Sequence, residues 1–283
     1  MRAASWLIVA ALSLAVACAD APGESTTTAD VITVNRIGLN RIGLNRIGLN
    51  RIGLNRIGLN RISAGRLRVN LSSDDELLAT DDGREVFSLA VSCALDEDTT
   101  LVATVEGTDF EFPGEMGLAP RWANHSLDRE GQGWVSACMF ARANAHAVAI
   151  PISMRGDNRG LATDADEREA FPVEEGAFYG NIFGPIDQPI PWYACRGEGQ
   201  FSGESGGLVD RDCTEPDPAN PGLTQCGLIF AGDCGDFAAD TACEQFNDHG
   251  TFYRRCHSAP IAHHRHGCDD QVFRQVITTF VTP

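Results

Sequence analysis

Residues 132–144 read Gln-Gly-Trp-Val-Ser-Ala-Cys-Met-Phe-Ala-Arg-Ala-Asn. Trp134, Cys138, Ala141 and Ala145 recur at helical spacing, so the run predicts an amphipathic helix over Gln132–Asn144. A second helix is predicted from about Asp82 to Ala94, where Val86, Leu89, Ala90 and Cys93 share a face, with Gly83 near its start. Cys93 and Cys138 therefore stand on the apolar faces of two helices. A disulfide tying the two is the simplest expectation in an oxidising compartment.

Strand signals surround these helices. Thr99–Glu106 and Asp109–Phe112 are β-rich and separated by Gly107-Thr108, which predicts a hairpin. Val148–Met154 reads as a buried strand in which Pro151 argues for an edge or a bulge. Phe178–Phe183, Ile190–Ala194 and Gln275–Val281 suit further short strands, and Asp164–Ala170 a short acidic helix. Helices mixed with antiparallel strands define an α+β class.

The chain has ten cysteines, and all but Cys18 bear on the same domain, an odd set of nine. Cys195, Cys213, Cys226, Cys234, Cys243, Cys256 and Cys268 crowd a stretch rich in Gly, Asp, Pro and Asn, the pattern of disulfide-stapled loops over a thin core. With Cys93 and Cys138, the candidates for pairing are Cys93, Cys138, Cys195, Cys213, Cys226, Cys234, Cys243 and Cys256. The odd thiol is assigned to Cys268, in the polar run from His263 to Asp270. No Cys-x-x-Cys knuckle is present, which weighs against structural zinc.

The N-terminal sixty residues are of another kind. Arg2, an apolar run over Trp6–Val16 and Ala15-Val16-Ala17 make 1–17 an expected signal helix, too short to span a bilayer. Leu14-Ala15-Val16-Ala17-Cys18 resembles the bacterial lipobox, which implies lipid on Cys18. A polar linker fills 18–34. Residues 35–62 then repeat Asn-Arg-Ile-Gly-Leu five times without change, ending on a partial sixth copy.

A five-residue step winds Ile and Leu around every face of a helix, and its glycines cost about 1 kcal/mol each there. On a strand the odd period alternates faces. The period resembles that of pentapeptide-repeat β-solenoids, but 28 residues make little more than one turn of a coil that needs stacking. A largely irregular tether is the reading taken. It would reach roughly 90 Å extended and nearer 30 Å as a coil. The expected layout is thus 1–17 signal, 18–34 linker, 35–62 tether, 63–194 α+β core and 195–283 a cysteine-rich part of the same domain.

Charge narrows the partners. All 22 basic residues are arginine, against 39 acids, for a net charge of −17. Six arginines lie in the repeat, which leaves the remainder near −23. So acidic a surface repels nucleic acid, and the expected contacts are a membrane, through the lipid, and a partner at the envelope.

Two catalytic or ligating patterns compete with a binding role. Gly203-Glu204-Ser205-Gly206-Gly207 fits the Gly-x-Ser-x-Gly nucleophile turn of α/β-hydrolases and resembles the Gly-Asp-Ser-Gly-Gly of chymotrypsin-like proteases. With His146 and Asp187 it would make a serine hydrolase. However, Gly206, Gly207 and Pro216 oppose the helix an elbow needs, and His146 lies too close to Ser205 for two barrels. His263, His264 and His266 beside Cys268 could hold zinc, copper or nickel; the solvated-loop reading is preferred, and no cofactor is expected. The acids Asp164, Asp166, Glu167 and Glu169 lack EF-hand spacing.

Cys93-Ala94-Leu95, Gly117-Leu118-Ala119-Pro120, Trp134-Val135-Ser136-Ala137-Cys138 and Ile152-Ser153-Met154-Arg155-Gly156 are similar to phrases in a group of uncharacterised exported bacterial lipoproteins. In that group short tandem repeats also follow the anchor. The resemblance covers residues 75–283 and implies an outer-membrane or cell-surface lipoprotein with no established activity.

Overall fold

In the computed structural model, the described residues are 37–39, 59, 63, 65, 67, 77–144, 150–184, 187–202, 211, 213–235, 241–244, 246–247, 249, 251–258 and 271–283, all within the compact unit Asn35–Pro283. A mixed sheet of six strands organises them, in the order β1 (Ile37–Leu39), β4 (Pro151–Arg155), β10 (Val276–Val281), β5 (Val173–Gly180), β6 (Trp192–Arg196) and β7 (Ile229–Asp233). Neighbours are antiparallel except β6 and β7, which run parallel. A hairpin of β2 (Thr100–Val105) and β3 (Thr108–Pro113) stands apart, as does the short pair β8 (Cys256–His257) and β9 (Val272–Phe273).

The two predicted helices form with small shifts of their ends. α1 spans Asp81–Ala94 and starts on Thr80, whose hydroxyl accepts from the Gly83 amide. α2 spans Arg129–Ala141 and starts on Asp128, whose carboxylate accepts from the Gly131 amide. Each cap satisfies an amide that the first turn leaves without a partner. α2 begins three residues before the expected Gln132 because Asp128, rather than the apolar stripe, sets the start. The Cys93–Cys138 disulfide joins the two helices, and Phe87 of α1 meets Phe112 of the hairpin edge-on at 4.8 Å between centroids.

Both sheet faces are covered, by different means. Alternate side chains of a strand point to opposite faces. On one side Phe178, Ile277, Val281, Ile152, Met154 and Ala194 join the core built with α1 and α2. On the other, Ala177, Tyr179, Val276 and Cys195 join a smaller core of Ala231, Cys234, Ala242, Cys243, Tyr253 and Cys256. Among the described residues no helix lies in that second core. Loops cover it, stapled by Cys195–Cys234 and Cys243–Cys256, while Cys213–Cys226 closes a 13-residue loop. Disulfides there compensate for little apolar area, and the domain is α+β and disulfide-rich as expected.

One irregularity in β5 decides the polar interior. Thr279 pairs with Gly176 but Phe280 with Glu174, so Glu175 is an extra residue, a β-bulge. The bulge re-aims both carboxylates. Glu175 turns to the helix side and Glu174 to the loop side. Gly176 sits there at φ +153°, where an added Cβ would lie 2.1 Å from the Cys195 carbonyl oxygen. Only glycine suits that position.

The repeat segment is described at few points. Ile37–Leu39, from the first copy, adds an antiparallel edge strand to β4, with Gly38 opposite Ile152. The pairing is three residues long, too short for the odd period that spoils a longer strand to matter. Leu59 of the last full copy is fully buried in the helical core. Just beyond it, the Ser63 carbonyl accepts from the Leu127 amide at 2.9 Å, and the Leu67 amide donates to Trp122 at 3.0 Å. Pro151, expected at an edge or bulge, is the first residue of β4, where it faces Leu39. No described helix is long and apolar enough to cross a membrane.

Candidate binding cleft

β4 places Arg155 on the loop side of the sheet, beside Phe280 and Thr278 of β10. Beyond β4 the chain turns through Asn158, whose Oδ1 accepts from the Gly160 amide and starts a 3-10 turn over Arg159–Leu161. A short helix, α3 (Ala165–Ala170), follows, begun by Asp164 accepting from the Glu167 amide. Opposite these lie Asn247, His249, Thr251 and Phe252, held by Asn247 Oδ1, which accepts from the Thr251 amide and hydroxyl. Between the two walls is a cleft of about 800 Å³, a volume common for small-ligand sites.

Among the described residues, three arginines, Arg155, Arg159 and Arg168, line this cleft with His249 and one acid, Asp157. Arg155 is almost fully buried and held rigidly. Its Nε donates to Ser153 Oγ at 2.9 Å, its Nη2 donates to the Phe171 carbonyl at 2.6 Å, and its guanidinium lies 3.7 Å over the Phe280 ring. Burial brings its pKa down to about 10, opposed by Glu167 and Glu174, so it stays charged at neutral pH. Arg168 donates from Nη1 to the Thr163 carbonyl at 2.9 Å.

Elsewhere arginines find acids. Arg84 pairs with Asp81, Arg142 with Glu115, Arg196 with Asp233, Arg211 with Glu175 and Arg255 with Glu244. Among the described residues no carboxylate makes an ion pair with Arg155, Arg159 or Arg168. Arg121, Arg129, Arg254 and Arg274 are also without ion pairs among the described residues and are exposed on the surface, as is Arg159; Arg155 is buried and Arg168 half-buried, and what sets these three apart is that they share one cleft.

Behind Arg155 lies Glu174, turned there by the bulge and 6% exposed. Burial raises its pKa from 4.5 to about 7; the Tyr253 hydroxyl counters in part, though no hydrogen bond of normal geometry joins them. The sign of the pH effect follows. Between pH 4.5 and about 7 the folded chain keeps a proton that the unfolded chain has released, so stability falls as pH rises through that window and is level above it. Glu174→Gln, which mimics the neutral acid, should abolish this slope and raise stability at pH 8 by as much as about 3 kcal/mol. Urea unfolding at a series of pH values checks it; a variant with an unchanged slope would place the titration elsewhere.

A second groove, of about 590 Å³, lies on the other side of β6. Tyr193, Phe273, Phe183, Gln132 and Asn181 are among the residues that line it. Tyr193 stacks on Tyr179 at 5.7 Å, and burial raises its pKa. It has aromatic surface and amides but a single arginine, Arg129.

The residues singled out by motif are placed as follows. Ser205 and His146 lie outside the described residues, and Asp187 sits in an exposed turn. His263, His264, His266, Cys268 and Cys18 also lie outside them. Cys93, Cys138, Cys195, Cys213, Cys226, Cys234, Cys243 and Cys256 form the four disulfides Cys93–Cys138, Cys195–Cys234, Cys213–Cys226 and Cys243–Cys256. The sulfurs of Cys195, Cys234 and Cys243 lie within 4.8 Å of one another. Because each is in a disulfide, none offers the thiolate that a metal takes as ligand.

Sequence reading did not single out the cleft arginines. Pro151-Ile152-Ser153-Met154-Arg155 held the signal: an arginine closing an otherwise apolar strand must find neutral acceptors or a cavity. Comparison with protein-family models, with curated proteins and with solved structures finds no match to this chain.

Proposed function

We propose that the chain is an exported lipoprotein of the bacterial cell envelope, held at the outer membrane or cell surface by lipid on Cys18. It displays a disulfide-stabilised domain whose task is binding or structural rather than catalytic. The observation that carries this reading is the set of four disulfides, two of them closing the loop-covered core, since such bonds persist in oxidising compartments. The Leu14–Cys18 lipobox supplies the anchor. The arginine cleft is the binding site.

Ile37–Leu39 pairs with β4 and Leu59 is in the core, so the sequence between Cys18 and the first described strand is residues 19–36. Fully extended, that span reaches roughly 60 Å. Incorporation of labelled palmitate into the full chain, with globomycin blocking its processing, tests the anchor. A secreted product without lipid, or loss of neither label nor processing in Cys18→Ala, would overturn it.

A further inference from the structure

We infer that the cleft between Arg159–Arg168 and Asn247–Phe252 takes an oxyanion-bearing small ligand, through a phosphate or a carboxylate; this rests on the cleft being the binding site of the displayed domain. The carrying observation is how its arginines are held. Arg155 is anchored by the Ser153 hydroxyl, the Phe171 carbonyl and the Phe280 ring, and Arg168 by Thr163. None of these partners is an ion, although the Ser153 hydroxyl in turn donates to the buried Glu167 carboxylate at 2.8 Å. They fix the guanidinium groups in direction without a direct ion pair.

In a chain of net charge −17, carboxylates are plentiful, and five described arginines have taken one. Among the described residues, three arginines without an ion pair, in one concavity with Asp157 as its one lining acid, leave positive potential there. A cleft lined by charge of one sign concentrates ions of the other. Glu167 and Glu174 lie behind Arg155, close enough to favour its charge without an ion pair. The planar fork of arginine matches two oxygens of a carboxylate or phosphate at once. At about 800 Å³ the cleft holds more than a bare ion, and Asn158, Thr163 and Thr251 supply polar contacts for the rest of the ligand.

Calorimetry on the detergent-solubilised full chain tests this, with inorganic phosphate, citrate and glucose as probes. Phosphate or citrate should bind, more weakly as salt is raised. Arg159→Gln with Arg168→Gln should weaken binding roughly tenfold or more, as expected when charge-assisted hydrogen bonds are lost, and leave the thermal midpoint unchanged. Tighter phosphate identifies a phosphoester ligand, and tighter citrate a carboxylate one. An affinity indifferent to the double variant, or no heat from either anion, would overturn the inference. Glucose bound where the anions are not, and blocked by Ala162→Trp, would overturn the oxyanion class while leaving the cleft as the binding site.

Discussion

Arg211→Met should cost about 3–5 kcal/mol of unfolding free energy, the range for removing one partner of a buried ion pair. Arg211 and Glu175 are both fully buried and meet at 2.7 Å. Arg211 also donates to the Ala141 carbonyl at the end of α2, and Thr279 donates to the other carboxylate oxygen at 2.7 Å. The Thr214 hydroxyl donates to the Glu175 carbonyl at 2.9 Å, so the cysteine-rich part is tied to the sheet at two points. Removing the arginine strands a carboxylate where no water reaches. Adding Glu175→Leu should therefore recover part of the loss, because the orphan charge goes with it. Urea midpoints of the single and double variants decide this. A single variant within about 1 kcal/mol of wild type would mean that the pair is solvated, as surface pairs are.

The other large effect belongs to Cys93–Cys138. The bond closes 45 residues, and chain entropy alone assigns it roughly 4 kcal/mol. Replacing both cysteines with alanine should lower unfolding free energy by that much. The same treatment of Cys213 and Cys226, 13 residues apart, should cost nearer 3 kcal/mol. Denaturant unfolding of the two double variants gives the comparison. Equal or reversed losses would show that packing around the sulfurs outweighs loop length.

What could be read from the chain was local. Periodicity found α1 and α2 and put Cys93 and Cys138 on facing surfaces; β-branched runs around Gly107 found the hairpin. Long-range placement was not visible. Gln275–Val281 reads as a closing strand, yet β10 lies inside the sheet between β4 and β5, because its two buried faces need covers from distant segments. Ile229–Asp233 carries two polar-permissive glycine and aspartate positions and no alternation, and it becomes β7 only through its parallel partner β6. Adjacent Glu174 and Glu175 look like ordinary surface acids. A one-residue bulge, which no composition encodes, decides which of the two buried acids faces the helices and which the loops. The cleft has the same origin: its arginines lie 4 and 9 residues apart in sequence and meet only through the turns that Asn158 and Asp164 begin.

Whether the chain is a lipid-anchored, disulfide-closed domain is decided most directly by the intact mass of the mature protein. The chain is extracted from membranes of a lipoprotein-competent bacterium and measured without reduction. The expected mass is that of residues 18–283 with lipid on Cys18 and eight of the remaining nine cysteines oxidised as four disulfides. A mature chain without acyl mass, or one whose cysteines are reduced, would contradict it.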